Sequence, residues 1–495
     1  MDDFDPNHEY EISFGVHSKG CTKLMYMILK NICWTKMIKY VKSHKDEINK
    51  QNDIGWTPLM ILCANGQENK NYLKLIELLL NMGADINIKN NCNCTASMLA
   101  TLNPISAELI LNILLKYKPN LNIISHAEST ILIYTVCMGV KCTNIMQLLL
   151  DHGADPNIHG NRTNALLKAA FYSRTIGENI VSKLLEFGAN PNSQPYLGVT
   201  ALMIATLYCD TSSTENTMLI LLKHGADPNL YDDNKQTCLF NAIYNKTNKI
   251  NTTRILLEHN ADPNWSDNTG TTPLLAAFTI DDNVIMEAVI KLLLKHGANP
   301  NKLARAQITP LTYVIRKKNS KDALTYVKLF MEYGADLNIA DNSNSNALND
   351  YIIYRHDSDE LFKLLLDNTI NVNCISSSHL CLFSNKHIKM LLDYGLRITD
   401  KNIPSLLSRK FGAYVQFYYY LQQCLIFIFK ELLATRNKFM YRPTGIPTRI
   451  NLLKMNLQTK NYRQLSELTD YCDIINYIGV VNIDHLIDKI KYYSE

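Results

Sequence analysis

No stretch of this 495-residue chain is apolar for long enough to span a bilayer. The nearest approach is the aromatic and apolar stretch 411–433. Gln416, Gln422 and Gln423 interrupt it and Lys430-Glu431 lies within it, so its uninterrupted runs fall well short of the ~18 residues a spanning helix needs and a buried helix is the expectation. Charge is close to balanced: 50 Lys and Arg against 46 Asp and Glu leave a formal net charge of +4, which makes no case for a nucleic-acid partner. The thirteen cysteines include no paired Cys-x-x-Cys, and the spacings Cys92/Cys94 and Cys137/Cys142 are wrong for zinc, so no metal is expected. A secretory signal is lacking, since the first residues, Met1-Asp2-Asp3, are acidic. Reduced thiols and an intracellular, cytoplasmic setting are therefore expected. Glycine-rich phosphate loops, metal signatures and nucleophile motifs are absent too, so neither catalysis nor a cofactor nor a small-molecule substrate is expected.

What the chain does have is recurrence. The tract Leu-Leu-Leu-Asp-His-Gly-Ala-Asp-Pro-Asn (148–157) returns at Leu221–Asn229, Leu256–Asn264 and Leu292–Asn301, and in weaker form at Leu78–Asn87, Leu184–Asn192, Lys328–Asn338 and Leu364–Asn373. Its glycine slot falls at Gly83, Lys118, Gly153, Gly188, Gly225, Asn260, Gly297, Gly334 and Thr369, in steps of 35 or 37 residues. A second mark precedes each: Thr57, Thr95, Thr130, Asn164, Thr200, Thr237, Thr272, Thr309 and Asn346. From the glycine slot to the next Thr/Asn slot the distance is 12 residues, once 11. From the Thr/Asn slot to its own glycine slot it varies from 23 to 26. A fixed connection is expected where successive units stack; an elastic one belongs to a solvent-facing loop, where added residues cost little closure entropy. A period of this size marks a stacked repeat architecture.

Each unit reads as two helices. Thr followed by Pro or Ala starts the first, with Thr as N-cap and Pro tolerated at the first helical position. Small residues such as Ala169-Ala170 and Ala276-Ala277 let that helix approach its neighbours. The second helix carries the leucine face and ends at the glycine slot, where a left-handed residue stops it; Asp-Pro-Asn then turns the chain away.

The two motifs, recurring in phase, resemble the ankyrin repeat, whose unit has Thr-Pro-Leu-His-x-Ala early and Leu-Leu-x-x-Gly-Ala-Asp-x-Asn late. The resemblance covers roughly residues 20–399. It implies an all-α, ankyrin-type solenoid of stacked helix-turn-helix repeats with turn fingers, about nine to ten repeats plus a truncated last one. Two departures stand out. Met60, Leu167, Met203, Leu275 and Thr312 fill the family's His slot, so its usual side-chain bonds to the turn backbone are expected to be missing. The units also run longer than the family's usual length, with the excess between the two helices. The lean towards Asn, Ile, Lys and Tyr, together with the elongated units, is similar to ankyrin repeat proteins of large DNA viruses of the mimivirus type. Poxvirus ankyrin proteins usually end in an F-box-like Leu-Pro-x-Glu segment, which is not found; Ile403-Pro404-Ser405 is a poor substitute.

Three segments follow: a polar, poorly ordered segment over 1–19, the repeat array over 20–399, and a helical cap or docking module over 400–495. The histidines His152, His224, His259 and His296 recur with the repeat and read as helix C-terminal residues rather than a converging site; Asp155, Asp227 and Asp262 read likewise as turn formers.

The resemblance also implies where a partner binds, since ankyrin proteins usually use the turn fingers and the exposed face of the first helices. Tyr196, Tyr231 and Trp265 come from three successive fingers. With Asp233 and Asp267, and Arg305 at the edge, they are the candidate binding residues, because aromatic and Arg side chains are favoured interface anchors. Asn157 and Asn229 resemble the asparagine-hydroxylation sites of ankyrin turns, although bonding of these side chains to the turn backbone is the favoured explanation. The expected function is a non-catalytic protein–protein interaction scaffold, monomeric, with a protein partner. The alternative is an adaptor that holds a target on the repeats and recruits other machinery, such as ubiquitin ligase components, through residues 400–495. There Tyr477-Ile478-Gly479 and 484–490 resemble the terminal helices of adaptor-binding BTB-type folds.

Overall fold

The computed structural model describes residues 5, 8–13, 16–65, 70–103, 105–139, 142–160, 162–176, 178–304, 308–342, 345–354, 357–369, 372, 375, 385–394 and 396. Residues 400–495, and with them the expected cap or docking module and the stretch 411–433, lie outside this set, as does Arg305. Among the described residues no helix is long and apolar enough to cross a membrane.

The chain divides into two compact units, Met1–Ala298 and Asn299–Glu495. The first opens with an antiparallel hairpin, β1 (Tyr10–Ser13) and β2 (Val16–Ser18). Eight helix pairs follow: α1 (Lys23–Leu29) with α2 (Trp34–Ser43), α3 (Pro58–Asn65) with α4 (Lys70–Asn81), α5 (Ala96–Thr101) with α6 (Ala107–Leu114), α7 (Ile131–Cys137) with α8 (Cys142–Asp151), α9 (Ala165–Ile176) with α10 (Asn179–Glu186), α11 (Ala201–Leu207) with α12 (Glu215–Lys223), α13 (Cys238–Tyr244) with α14 (Lys249–Glu258), and α15 (Pro273–Ala276) with α16 (Asn283–Lys295). The second unit holds α17 (Pro310–Lys317) with α18 (Ser320–Glu332), α19 (Ala347–Ile353) with α20 (Asp359–Asn368), and a further helix, α21 (Asn385–Asp393). Within the first unit each first helix packs on the next first helix, from α1 through α15, and second helices pack on second helices along most of its length. In the second unit α17 packs on α19 and α18 on α20. This is the stacked array of helix pairs that the in-phase motifs predict.

The hairpin departs from expectation. Residues 1–19 were expected to be poorly ordered, yet Tyr10 and Ile12, one pleat apart on β1, are both buried. The Tyr10 ring meets Tyr26 of α1 edge-on at 5.5 Å. The strand's apolar alternation, brief as it is, gives it a surface to bury.

The Thr slot works as its chemistry predicts. Side-chain oxygens of Thr57, Thr95, Thr130, Asn164, Thr200, Thr272, Thr309 and Asn346 accept the N–H three residues on. The residues in the family's His slot are not idle. Thr312 Oγ1 accepts the Thr309 N–H at 3.0 Å, and Met203 sulfur sits 3.4 Å from the Thr200 nitrogen, so the reciprocal half of a capping box survives with other atoms. Thr237 is the exception, because its hydroxyl is buried and has no partner among the described residues.

At the other end, Gly83, Gly153, Gly188, Gly225, Gly297 and Gly334 are left-handed with φ from +81° to +97°. No atom lies near where a Cβ would sit at any of them, so backbone conformation alone selects glycine. Lys118 and Asn260 take the same conformation with side chains attached. The alanine that follows closes the turn by reaching back five residues, as in Ala154 N–H to Leu149 carbonyl at 3.0 Å and Ala335 to Phe330 at 2.9 Å. The residues reached back to, Leu79, Leu149, Leu184, Leu221, Leu256, Leu293 and Phe330, are completely buried, so the same residue anchors the core and terminates its helix.

The late asparagine ties one unit to the next. Asn157 Nδ2 donates to the Gly188 carbonyl at 2.9 Å while its Oδ1 accepts the Asn190 N–H at 2.7 Å. Asn49, Asn122, Asn192 and Asn229 repeat this double bond onto the following turn in the first unit, and Asn301 does so in the second. For Asn122, Asn157, Asn192, Asn229 and Asn301 the residue two before, Asp or Asn, accepts the asparagine's own N–H, which fixes its direction, as Asp155 does for Asn157 at 2.8 Å. Both predicted turn-forming roles are therefore present.

Two stability outcomes follow. Replacing Asn192 with Asp keeps the shape but puts an oxygen opposite the Gly225 carbonyl; it should cost about 1–2 kcal/mol in urea denaturation, and wild-type stability would refute the ladder's energetic role. Thr272→Val should cost about 1 kcal/mol through the lost cap, whereas Thr237→Val should be neutral or stabilising, since it removes a buried hydroxyl that bonds nothing. Equal losses at the two positions would contradict this assignment.

Candidate functional site

The fixed connection between the glycine slot and the next Thr slot folds into a tight finger. Its two arms pair through bonds such as Asn90 N–H to Cys94 carbonyl, Asp232 to Gln236 and Asp267 to Thr271, each at 3.0 Å. A side-chain oxygen inside each loop holds the far arm: Asp232 Oδ1 accepts from the Asn234 and Gln236 N–H groups, and Asp267 Oδ1 from those of Thr269 and Thr271. Finger tips then bond one to the next through backbone: Asp53 N–H to Lys19 carbonyl, Asn91 to Ile54, His126 to Cys92, Asp233 to Leu197 and Asn268 to Asn234. Side chains reach across as well. Gln51 bonds the Lys89 carbonyl and Gln194 the Tyr231 carbonyl, both at 2.9 Å. The fingers of residues 189–271 thus form a continuous hydrogen-bonded row from which side chains project on a fixed frame.

Tyr231 and Trp265, on adjacent fingers, stack with centroids 5.1 Å apart and planes 18° from parallel. Tyr231 is exposed and Trp265 half-buried. The Trp265 indole N–H donates to the Lys235 carbonyl at 2.8 Å, so the ring leans on the preceding finger, not on its own. Tyr196 is also exposed, and the guanidinium of Arg162 lies over its ring at 5.6 Å. The Asp233 side chain is exposed at a finger tip. Asp267 behaves differently from the free contact residue expected of it. Its carboxylate is committed to its own turn, accepting the Thr269 hydroxyl at 2.7 Å in addition to the two backbone groups. The structure brings Tyr231 and Trp265 together and pairs Tyr196 with Arg162. Asn157 and Asn229, the hydroxylation candidates, sit in the asparagine ladder with both amide atoms bonded.

A further set of aromatics escaped the sequence reading. Phe171, Tyr172, Tyr208 and Tyr244 all lie seven or eight residues after a Thr/Asn slot, the first two within α9 and the others at the ends of α11 and α13. Phe171 meets Tyr208 edge-on at 4.8 Å, and Lys168 lies 6.0 Å from the centre of the Tyr172 ring. Burial and, after it, the Asp267 carboxylate push the Tyr244 hydroxyl above its ordinary range. Aligning that slot by phase would have exposed the pattern.

In the second unit Arg316 occupies the corresponding slot on α17. Its guanidinium bonds Asp350 through Nε at 2.7 Å and Asp341 at 2.6 Å, with all three side chains largely buried. Burial alone would depress the guanidinium, but the hydrogen bonds and charges of Asp350 and Asp341 outweigh it and hold the proton more tightly than usual. Ser345 donates a further bond to Asp350 at 2.8 Å. A buried pair stripped of one partner is costly. Arg316→Leu should therefore destabilise by about 3 kcal/mol at neutral pH. The loss should shrink as pH falls, because burial without the guanidinium raises the orphaned carboxylates and they take up protons; a loss independent of pH would show that the pairing is not what matters.

Among the described residues the recurring histidines are spent on their own helix ends. The Nδ1 atoms of His152, His224, His259 and His296 each bond the carbonyl four residues back, at 2.8–2.9 Å. Among the described residues no group of three His, Cys, Asp or Glu side chains could hold a metal ion. The described cysteines are all unpaired, and burial pushes the Cys63 and Cys238 thiols up, away from nucleophilic character.

Comparison with known proteins agrees with this architecture. The ankyrin repeat family model, which itself spans three repeats, matches residues 68–160, 212–304 and 283–376, together just over half of the chain. Three ankyrin repeat proteins of Acanthamoeba polyphaga mimivirus are similar to parts of it, at 36% identity over 92 residues, 38% over 74 and 34% over 90. These matches take in 17%, 14% and 18% of this chain and span 17%, 12% and 16% of the relatives' own lengths. The ankyrin repeat domain of Bcl-3 aligns with 44% of this chain and 93% of its own, at 24% identity and a TM-score of 0.37.

Proposed function

This chain belongs to the ankyrin repeat family, whose units are generally protein–protein interaction modules, and we propose that it is a non-catalytic scaffold that holds a protein partner on its fingers and the adjoining ends of its first helices. The observation that carries this reading is the Tyr231–Trp265 stack: two large aromatic rings stand at the surface of a hydrogen-bonded finger row. Aromatic side chains whose positions are already fixed lose little freedom on binding, so more of their contact area converts to affinity. Tyr196 on the preceding finger, and Phe171, Tyr172, Tyr208 and Tyr244 on the first helices, would extend the same surface. Asp233 belongs to it as an exposed charge; Asp267 contributes by holding its finger in shape. Arg305 stays part of the proposal as its edge.

The histidines bonded to helix carbonyls and the aspartates spent on turns leave the proposal without any need for chemistry. The adaptor alternative rests on residues 400–495 and draws nothing from the finger geometry. Hydroxylation of Asn157 or Asn229 would take place on residues that already tie two units together; intact-mass and peptide mass spectrometry of the native protein would detect it.

The test is to capture a partner with the full chain and then measure its affinity for the Tyr231→Ala/Trp265→Ala variant. Loss of at least about tenfold is expected, in line with the usual cost of removing an aromatic hot spot. Undiminished affinity in a variant that retains its helical melting curve would overturn the placement.

A further inference from the structure

We infer that the Tyr231–Trp265 stack and Asp233 together form a seat for an arginine side chain on a basic segment of the partner. This rests on the finger reading above and adds the partner's chemistry to it.

Three observations converge. First, the stack is a rigid, flat π surface. Trp265 is held by its bond to the Lys235 carbonyl, the Tyr231 carbonyl is held by Gln194 from the preceding finger, and Tyr231 is 45% exposed. The faces of such rings attract cations, and a planar guanidinium matches them better than an ammonium does. Second, the protein makes the same contact within itself one finger earlier, where Arg162 covers Tyr196 at 5.6 Å. Among the described residues no cation lies over Tyr231 or Trp265. The aromatic at one finger has its own arginine; the pair on the next two fingers has an open place for one.

Third, the local charge is of the complementary sign. The two fingers carry Asp227, Asp232, Asp233, Asp262 and Asp267 against Lys235 as their one basic residue. Asp227, Asp232, Asp262 and Asp267 spend an oxygen on backbone N–H groups of their own turns. Asp233 does not. Its backbone is fixed from both sides, the N–H bonding Leu197 at 3.0 Å and the carbonyl accepting from Asn268 Nδ2 at 2.9 Å, while its carboxylate stands exposed and makes no bond to the described residues. Only Asp232 separates Asp233, whose backbone is held in this way, from Tyr231 of the stack. The chain as a whole carries a net charge of +4, so attraction of a cation here is a property of these fingers and not of the protein at large. A purely apolar partner would leave Asp233 without a counter-charge, and phosphate groups would meet the aspartates unfavourably.

The test uses the full chain and three fluorescein-labelled Gly-Ser peptides of equal length that differ only in carrying arginines, lysines or glutamates, with binding read by anisotropy at low salt. The arginine peptide should bind best, the lysine peptide more weakly and the glutamate peptide not at all. Asp233→Asn and Tyr231→Leu should each weaken the arginine peptide about three- to tenfold, while Arg162→Ala leaves it unchanged. Asp233→Asn alters only an exposed side chain, so its result does not depend on the aromatic variant folding. Equal binding of the arginine and glutamate peptides, or wild-type binding by Asp233→Asn, would overturn the inference. A captured partner that loses affinity to the Tyr231→Ala/Trp265→Ala variant but ignores Asp233→Asn would sink the arginine seat and leave the finger reading standing; indifference to both would sink the two together.

Discussion

One recurring amide side chain, with its donor and acceptor both aimed at the next turn, sets the terms for the rest of the described structure. Because Asn157 bonds Gly188 and Asn190 at once, the spacing between neighbouring turns is fixed to a hydrogen-bond length at two points. The helices behind those turns are then placed with their leucines meeting, and the fingers in front with their tips in bonding range. The bond energies are modest taken singly. What they supply is register: a solenoid's stability is a sum of units and of the interfaces between neighbours, and an interface slipped by a residue would lose both its polar bonds and its apolar packing.

The two connections in each unit divide the work accordingly. The fixed one must return the chain from a turn to the next first helix while keeping finger backbones paired, which leaves no room for added residues. The variable one lies between the helices and absorbs length by local bonding. At residues 208–214, for example, the Tyr208 carbonyl accepts three successive N–H groups, and the Ser213 and Thr217 hydroxyls meet Ser173 in a buried cluster. Rigidity therefore concentrates on the side that carries Tyr231, Asp233 and Trp265, where a binding surface benefits from it most.

Much of this was legible in the sequence because the chemistry is local. A threonine that caps its own helix, a glycine that ends one, and an aspartate that bends a turn act within a few residues, and recurrence multiplied the signal. Relationships between units were harder to read. Asn157 and Gly188 are 31 residues apart, and only the stack shows that the amide crosses to the next turn and not to its own. Asp232, Asp233 and Asp267 look alike in the sequence, yet two close fingers and one faces solvent; a shift of one residue in finger register decides which. The sequence assigns Trp265 to its own finger, and only the fold shows that its ring rests on the preceding one. The aromatics of the first helices are visible only when the slot seven or eight residues after the Thr/Asn mark is aligned as well, and the hairpin over Tyr10–Ser18 is hidden because its apolar alternation is too short to stand out from a polar stretch.

In the run of turns joined by Asn122, Asn157, Asn192 and Asn229, each interior turn offers the turn before it the same acceptor and donor, and offers the turn after it the same amide. Units are thus chemically interchangeable at their borders, whatever their finger tips carry. A gene built this way can gain, lose or trade whole segments by unequal recombination without leaving an unmatched seam, so long as the cut respects the period. The recognition surface can then diversify by shuffling entire fingers, a route closed to proteins whose polar contacts are each unique.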